Sequence, residues 1–72
     1  MSWSYRIVKT NVGDVSWYGV HEVYYDDEGK PTMVSQESVS LEEETVDDLD
    51  FLIGKIKIAM KQPILNYEDF GK

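Results

Sequence analysis

The chain has 72 residues, no cysteine, one histidine, and a formal net charge of −7 from fourteen acids against seven bases. Those counts exclude disulfides, thiolate metal sites and a histidine cage, and they allow one domain with a thin core. So acidic a chain is repelled by phosphate backbones, which argues against direct nucleic-acid binding.

The opening "MSWSYRIVKT" has no basic region followed by an apolar run, so no signal peptide is expected. No stretch approaches the ~20 apolar residues of a membrane span. Together with the lack of cysteine, this reads as a cytoplasmic protein without membrane contact.

Trp3 to Lys9, "WSYRIVK", is rich in aromatic and β-branched residues and predicts a first strand. Thr10 to Asp14, "TNVGD", predicts a turn or loop, because Asn and Gly tolerate positive φ. Val15 to Tyr25, "VSWYGVHEVYY", predicts a second strand. Alternation puts Trp17, Gly19, His21, Val23 and Tyr25 on one face, and Ser16, Tyr18, Val20, Glu22 and Tyr24 on the other. Gly19 marks a bulge or a place where another side chain lies over the backbone.

Asp26 to Pro31, "DDEGKP", predicts a tight reversal with Gly29 at the left-handed position. Thr32 to Ser40 predicts a third, more polar strand that suits an edge. Thr45 then caps a helix through "VDDLDFLIGKIKIAMKQ", with Asp48 three residues on in a capping-box-like pair. Leu49, Leu52, Ile53, Ile56, Ala59 and Met60 form its apolar stripe. Gly54 inside it costs about 1 kcal/mol against Ala and suggests close approach to the sheet. Pro63 ends the helix, and Ile64 to Phe70 is a short tail with enough apolar weight to dock.

The order β-β-β-α predicts a single α+β domain over residues 1–72, in which one helix packs on one face of a three-stranded antiparallel sheet. One helix shields one face, so the other face is expected to be partly exposed or covered by a partner.

Four constellations invite a functional reading. His21 and Glu22 are adjacent on a strand, point to opposite faces and make a poor acid–base pair. Asp26-Asp27-Glu28-Gly29 has consecutive acids where a calcium loop alternates its ligands, so turn chemistry explains it better. Glu42, Glu43, Glu44, Asp47, Asp48 and Asp50 form the densest charge. The helix dipole accounts for the three aspartates but less well for the three glutamates, which leaves an acidic patch for a basic partner. Trp17, Tyr18, Tyr24 and Tyr25 are candidate protein-contact residues, since Trp and Tyr are enriched at interface hot spots. No phosphate-binding glycine loop or nucleophile elbow is present.

The stretches "WYGVHEVYYDDEGKP" and "AMKQPILNYEDF" resemble a group of small bacterial and phage-borne proteins. These share a W-[YF]-G-[IV]-H-E-V-Y-Y-D core and an [AM]-x-x-P-[VI]-L-x-x-x-D-F ending. The likeness spans Tyr5 to Phe70; it implies a β-β-β-α fold and carries no activity. A weaker likeness is to HicB-type antitoxin domains, which share the strand order, although the chain lacks their appended DNA-binding module.

The sequence therefore predicts a non-enzymatic protein-interaction module that needs no cofactor or metal. Its partner would be another protein, with pairing of two copies through an open edge strand left open as one form. The alternative is an acidic inhibitor that mimics nucleic acid and occupies a basic partner's binding groove.

Overall fold

A computed structural model describes residues 2–70. The elements run β1 (Ser2–Val12), β2 (Val15–Tyr25), β3 (Pro31–Val34), α1 (Val46–Ala59), β4 (Leu65–Asn66) and a 3-10 turn (Tyr67–Asp69). The fold is α+β: a four-stranded mixed sheet in the order β3-β2-β1-β4 with one helix. The predicted three antiparallel strands and helix are there, and the tail adds a fourth strand, parallel to β1.

The first hairpin is longer than its composition suggests. β1 continues through Asn11 and Val12, and the turn is only Gly13–Asp14. Gly13 has φ +61 while Asp14 keeps a negative φ, the pattern of a type II′ turn with glycine at its first central position. That turn needs only one left-handed residue, so Asn11 stays extended, paired with Ser16.

The second reversal is built as expected. Gly29 has φ +83, and the Asp26 carboxylate accepts from the Glu28 and Lys30 amides, both at 2.9 Å. Asp26 Oδ1 is thus committed to the turn backbone. β3 stops at Val34, short of the predicted Ser40. Beyond it the chain still touches β2's edge, through Ser35 N–H to Glu22 O at 3.0 Å and Val39 N–H to Val20 O at 2.7 Å. The Ser35 hydroxyl is drawn to Glu37 O at 2.9 Å, which breaks the regular ladder between these two contacts.

Opposite residues of an antiparallel pair share a face. The register places Tyr5, Ile7, Val20 and Glu22 on one side, and Ser4, Arg6, Val8, Gly19, His21 and Val23 on the other. The helix lies on the first side: Leu52 and Lys55 border Tyr5, and Ile53 and Ile56 border Val20. Thr45 Oγ1 caps it by accepting from Asp48 N–H at 3.0 Å. Leu52 and Ala59 are buried and Leu49 and Ile56 half-buried, but Met60 is 66% exposed and Ile53 lies at the rim at 37%. The stripe facing the sheet is therefore narrower than the six positions predicted. Gly54 is exposed with open space around its Cα, so it allows no close approach to the sheet.

The expectation that only one face is covered is corrected here. Val8 and Val23 are both 0% exposed, on the side away from the helix. The tail and the segment after β3 cover that side. Arg6 Nη2 donates to Pro63 O at 2.8 Å and Tyr67 brings its ring to 6.1 Å from that of His21, while β4 extends the sheet beside Val8. A Cβ added to Gly19 would lie 3.2 Å from Ser38 Cβ, so this glycine marks a close approach, as expected. The one bulge between β2 and β3 lies at Tyr24/Tyr25.

Candidate functional site

His21 is the residue whose chemistry most invites a catalytic reading, and its surroundings are those of a clip. It is buried, and its Nδ1 lies 2.9 Å from Ser35 O. A carbonyl only accepts, so the proton sits on Nδ1 and the ring ties β2 to the chain after β3. Glu22 points to the opposite face, where its carboxylate accepts from Tyr24 OH at 3.3 Å. His21 and Glu22 are not brought together. Tyr67 and Ser35, which complete the histidine's surroundings, carried no sequence signal, because their role depends on the tail and loop folding back.

A second polar group lies on the same face. Arg6 Nη1 donates to Tyr25 OH at 3.1 Å, and that hydroxyl sits 2.8 Å from Ser4 Oγ. Arg6 Nε is buried without a partner among the described residues. Arg6, held by the Tyr25 hydroxyl, thereby fastens the tail to the sheet through Pro63 O.

The four candidate contact aromatics do not form one patch. Trp17 and Tyr25 lie on one face, Tyr18 and Tyr24 on the other, and about 26 Å of strand separates Trp17 from Tyr25. Tyr24 and Tyr25 are half-buried and hydrogen-bonded, whereas Trp17 is 64% and Tyr18 60% exposed. Val12 and Val15, beside the turn, are also exposed. The exposed candidates thus sit at the outer end of the β1–β2 ribbon, beyond the last β2–β3 pair at Val23, while Val46, Phe51, Ile58 and Met60 expose a second apolar surface on the helix. Two grooves flank that end. One, of about 470 Å³, is lined by Tyr18, Val20, Val39, Leu41, Ile53 and Ile56. The other, of about 350 Å³, lies on the opposite face and includes Thr10, Trp17, Gly19, Gln36 and Ser38. Leu41 escaped sequence reasoning because it stands alone between polar residues.

The acidic candidates are all exposed: Glu42, Glu43, Glu44, Asp47, Asp48 and Asp50. Glu42, Glu43, Glu44 and Asp48 line a shallow concavity of about 440 Å³. The one ion pair among the described residues joins Lys30 to Glu28 at 3.8 Å, far along the chain, so none of these acids is ion-paired there, although Lys55 shares a concavity with Glu43 and Asp48. Lys55 instead sits over the Phe51 ring at 5.0 Å and the Trp3 ring at 5.8 Å, as a cation–π contact between helix and sheet.

Two phenols are perturbed. Burial, then the Glu22 and Glu43 carboxylates, pushes Tyr5 above the ordinary tyrosine range. The charge of Glu22 does the same to Tyr24, with burial and the hydrogen bond to Glu22 adding to it. Both shifts favour the neutral phenol and neither prepares a base or a nucleophile at neutral pH. No group of three His, Asp or Glu side chains suited to a metal ion occurs among the described residues, and no helix there is long and apolar enough to cross a membrane.

No protein-family model, curated protein or solved structure matches the chain.

Proposed function

We propose that this chain is a non-enzymatic module that binds another protein through the outer end of the β1–β2 ribbon. The reading rests on one observation: Val12, Val15, Trp17 and Tyr18 are each more than half exposed at the end of the ribbon beyond its pairing with β3. A 72-residue domain gains nothing for its own core from four large apolar side chains in water. Aromatic anchors on a rigid two-stranded scaffold are what a protein contact uses. The titratable groups that could have served chemistry are engaged elsewhere, with His21 and Arg6 holding the loop and the tail.

The test pairs Trp17→Ser with Tyr18→Ser. Both sites are solvent-exposed, so circular dichroism and the thermal midpoint should stay close to those of the parent. Proteins retained from a native lysate by the parent and lost by the double variant, identified by mass spectrometry, are the expected result. Identical retention by parent and variant would rule the ribbon end out.

A second reading has its own observation, the exposed and unpaired acids from Glu42 to Asp50. A mimic of nucleic acid would bind a basic protein through them, with an affinity that falls steeply as salt rises. Binding that survives high salt would exclude it.

A further inference from the structure

The ladder of the first hairpin fixes which backbone groups point outward. Val20 and Glu22 turn their carbonyls away from β1, towards Val39 and Ser35. Outward groups recur every second residue in an antiparallel strand, so Tyr18 and Ser16 present the next two N–H and C=O pairs on the same edge. The chain leaves this edge after Val39, and no backbone hydrogen bond reaches Ser16 or Tyr18 from that side among the described residues. The edge is open where the two grooves lie, one on each face of the sheet.

We infer that the β2 edge at Ser16–Tyr18 takes an extended segment of a partner protein as an added strand, one with alternating apolar side chains and flanking basic residues. The inference rests on the interaction-module reading and deepens it by naming the edge and the kind of segment. Strand addition needs unpaired main-chain groups for affinity and pockets for alternate side chains for specificity. Here the main-chain groups are those of Ser16 and Tyr18. Side chains of one parity would enter the groove of Tyr18, Leu41 and Ile53, and those of the other parity the groove of Trp17 and Gln36.

Charge selects among occupants. The residues after Leu41 are Glu42, Glu43 and Glu44, exposed and unpaired, so cations flanking the apolar positions would meet them. A second copy would bring another net −7 and another glutamate run to the same place, which like-charge repulsion opposes. A basic segment of a different protein is therefore favoured over self-pairing.

A selection of random short peptides against the immobilised chain would read this preference directly. Enriched peptides should alternate apolar residues and carry Lys or Arg. In NMR titrations with the best of them, the Ser16 and Tyr18 amides should shift and gain protection from exchange. Ser16→Pro removes one outward N–H from a position whose N–H is not used in the β1–β2 ladder, and should weaken that peptide about tenfold. Leu41→Ser, at an exposed groove position, should weaken it without altering the fold. Three results would overturn the inference: no enriched peptide, shifts confined to another edge or face, or equal affinity for the parent and Ser16→Pro. Self-association on concentration that protects the Ser16 and Tyr18 amides would overturn it too, in favour of a second copy. If Trp17→Ser with Tyr18→Ser loses a lysate partner that Ser16→Pro retains, the interaction reading stands and strand addition falls.

Discussion

Truncating Val23 to alanine tests the burial of the sheet's second face. Val23 is fully buried on the side opposite the helix, between Val34 of β3 and Ser4 of β1. Removing two methyl groups forfeits about 0.8 kcal/mol each in transfer free energy, or about 1.6 kcal/mol. The void left behind adds about 1 kcal/mol more if its lining relaxes only in part. The total of about 2.5 kcal/mol is a large share of the roughly 4–11 kcal/mol expected for a domain of this length. It corresponds to a fall of about 10–20 °C in thermal midpoint. Val12→Ala is the control: the same chemistry in the same sheet, at a position 62% exposed, should cost under about 1 kcal/mol. Urea unfolding followed by tryptophan fluorescence and far-ultraviolet circular dichroism gives both values, and an unchanged m-value would attribute the difference to stability alone. Equal costs at Val23 and Val12 would refute the reasoning, because they would mean that the tail and the post-β3 loop do not cover that face.

Two further predictions concern the pH response and the first turn. Tyr5 and Tyr24 both titrate above the ordinary tyrosine range, so their neutral forms are favoured in the folded state. The stability linked to them is fully present below about pH 10, where unfolded tyrosine ionises, and is lost as pH rises through the higher folded values. Glu22→Gln should lower the titration midpoint of both phenols by ultraviolet difference absorbance. The drop should be greater for Tyr24, where the Glu22 charge is the leading cause, than for Tyr5, where burial leads. Gly13→Ala places a side chain at φ +61 in open space and should cost about 1–2 kcal/mol in the same urea assay, through backbone strain alone.

The parts of the fold that were legible in the sequence are those fixed by near neighbours. The run from Val15 to Tyr25 declared its strand through β-branched and aromatic residues, and its two faces followed from alternation. Gly29 after three acids declared the second turn, and Thr45 declared the helix start. What escaped depends on distant partners. Asn11 and Val12 looked like loop, because the extent of β1 depends on which turn Gly13 forms. The residues from Ser35 to Ser40 looked like strand, but side-chain bonds to His21 and Glu37 compete with the ladder there. The tail was too short for any period to appear, so its place beside β1 and over His21 had no local signature. The candidate contact residues split for the same reason. Trp17 and Tyr25 are both aromatic and share a face, but Tyr25 is half-buried and bonded to Arg6 and Ser4, whereas Trp17 lies past the last β2–β3 pair and is 64% exposed.

The polar residues inside this domain follow from its size. The buried apolar side chains among the described residues are Ile7, Val8, Val23, Leu52 and Ala59, too few to hold two covering layers on a sheet by burial alone. The second cover is instead fastened by directional contacts: Arg6 to Pro63, His21 to Ser35, and Asn11 to Glu68 at 2.8 Å. Each gives about 0.5–1.5 kcal/mol and, more to the point, specifies where the loop and tail must lie. Apart from Asn11 to Glu68, these fastenings sit on the half of the ribbon near β3 and the helix. The half that carries Val15, Trp17 and Tyr18 is held by its pairing with β1 and by the glycine turn. Substitutions at its exposed positions therefore load the fold very little, so this end can vary with a partner while the rest of the chain keeps its structure.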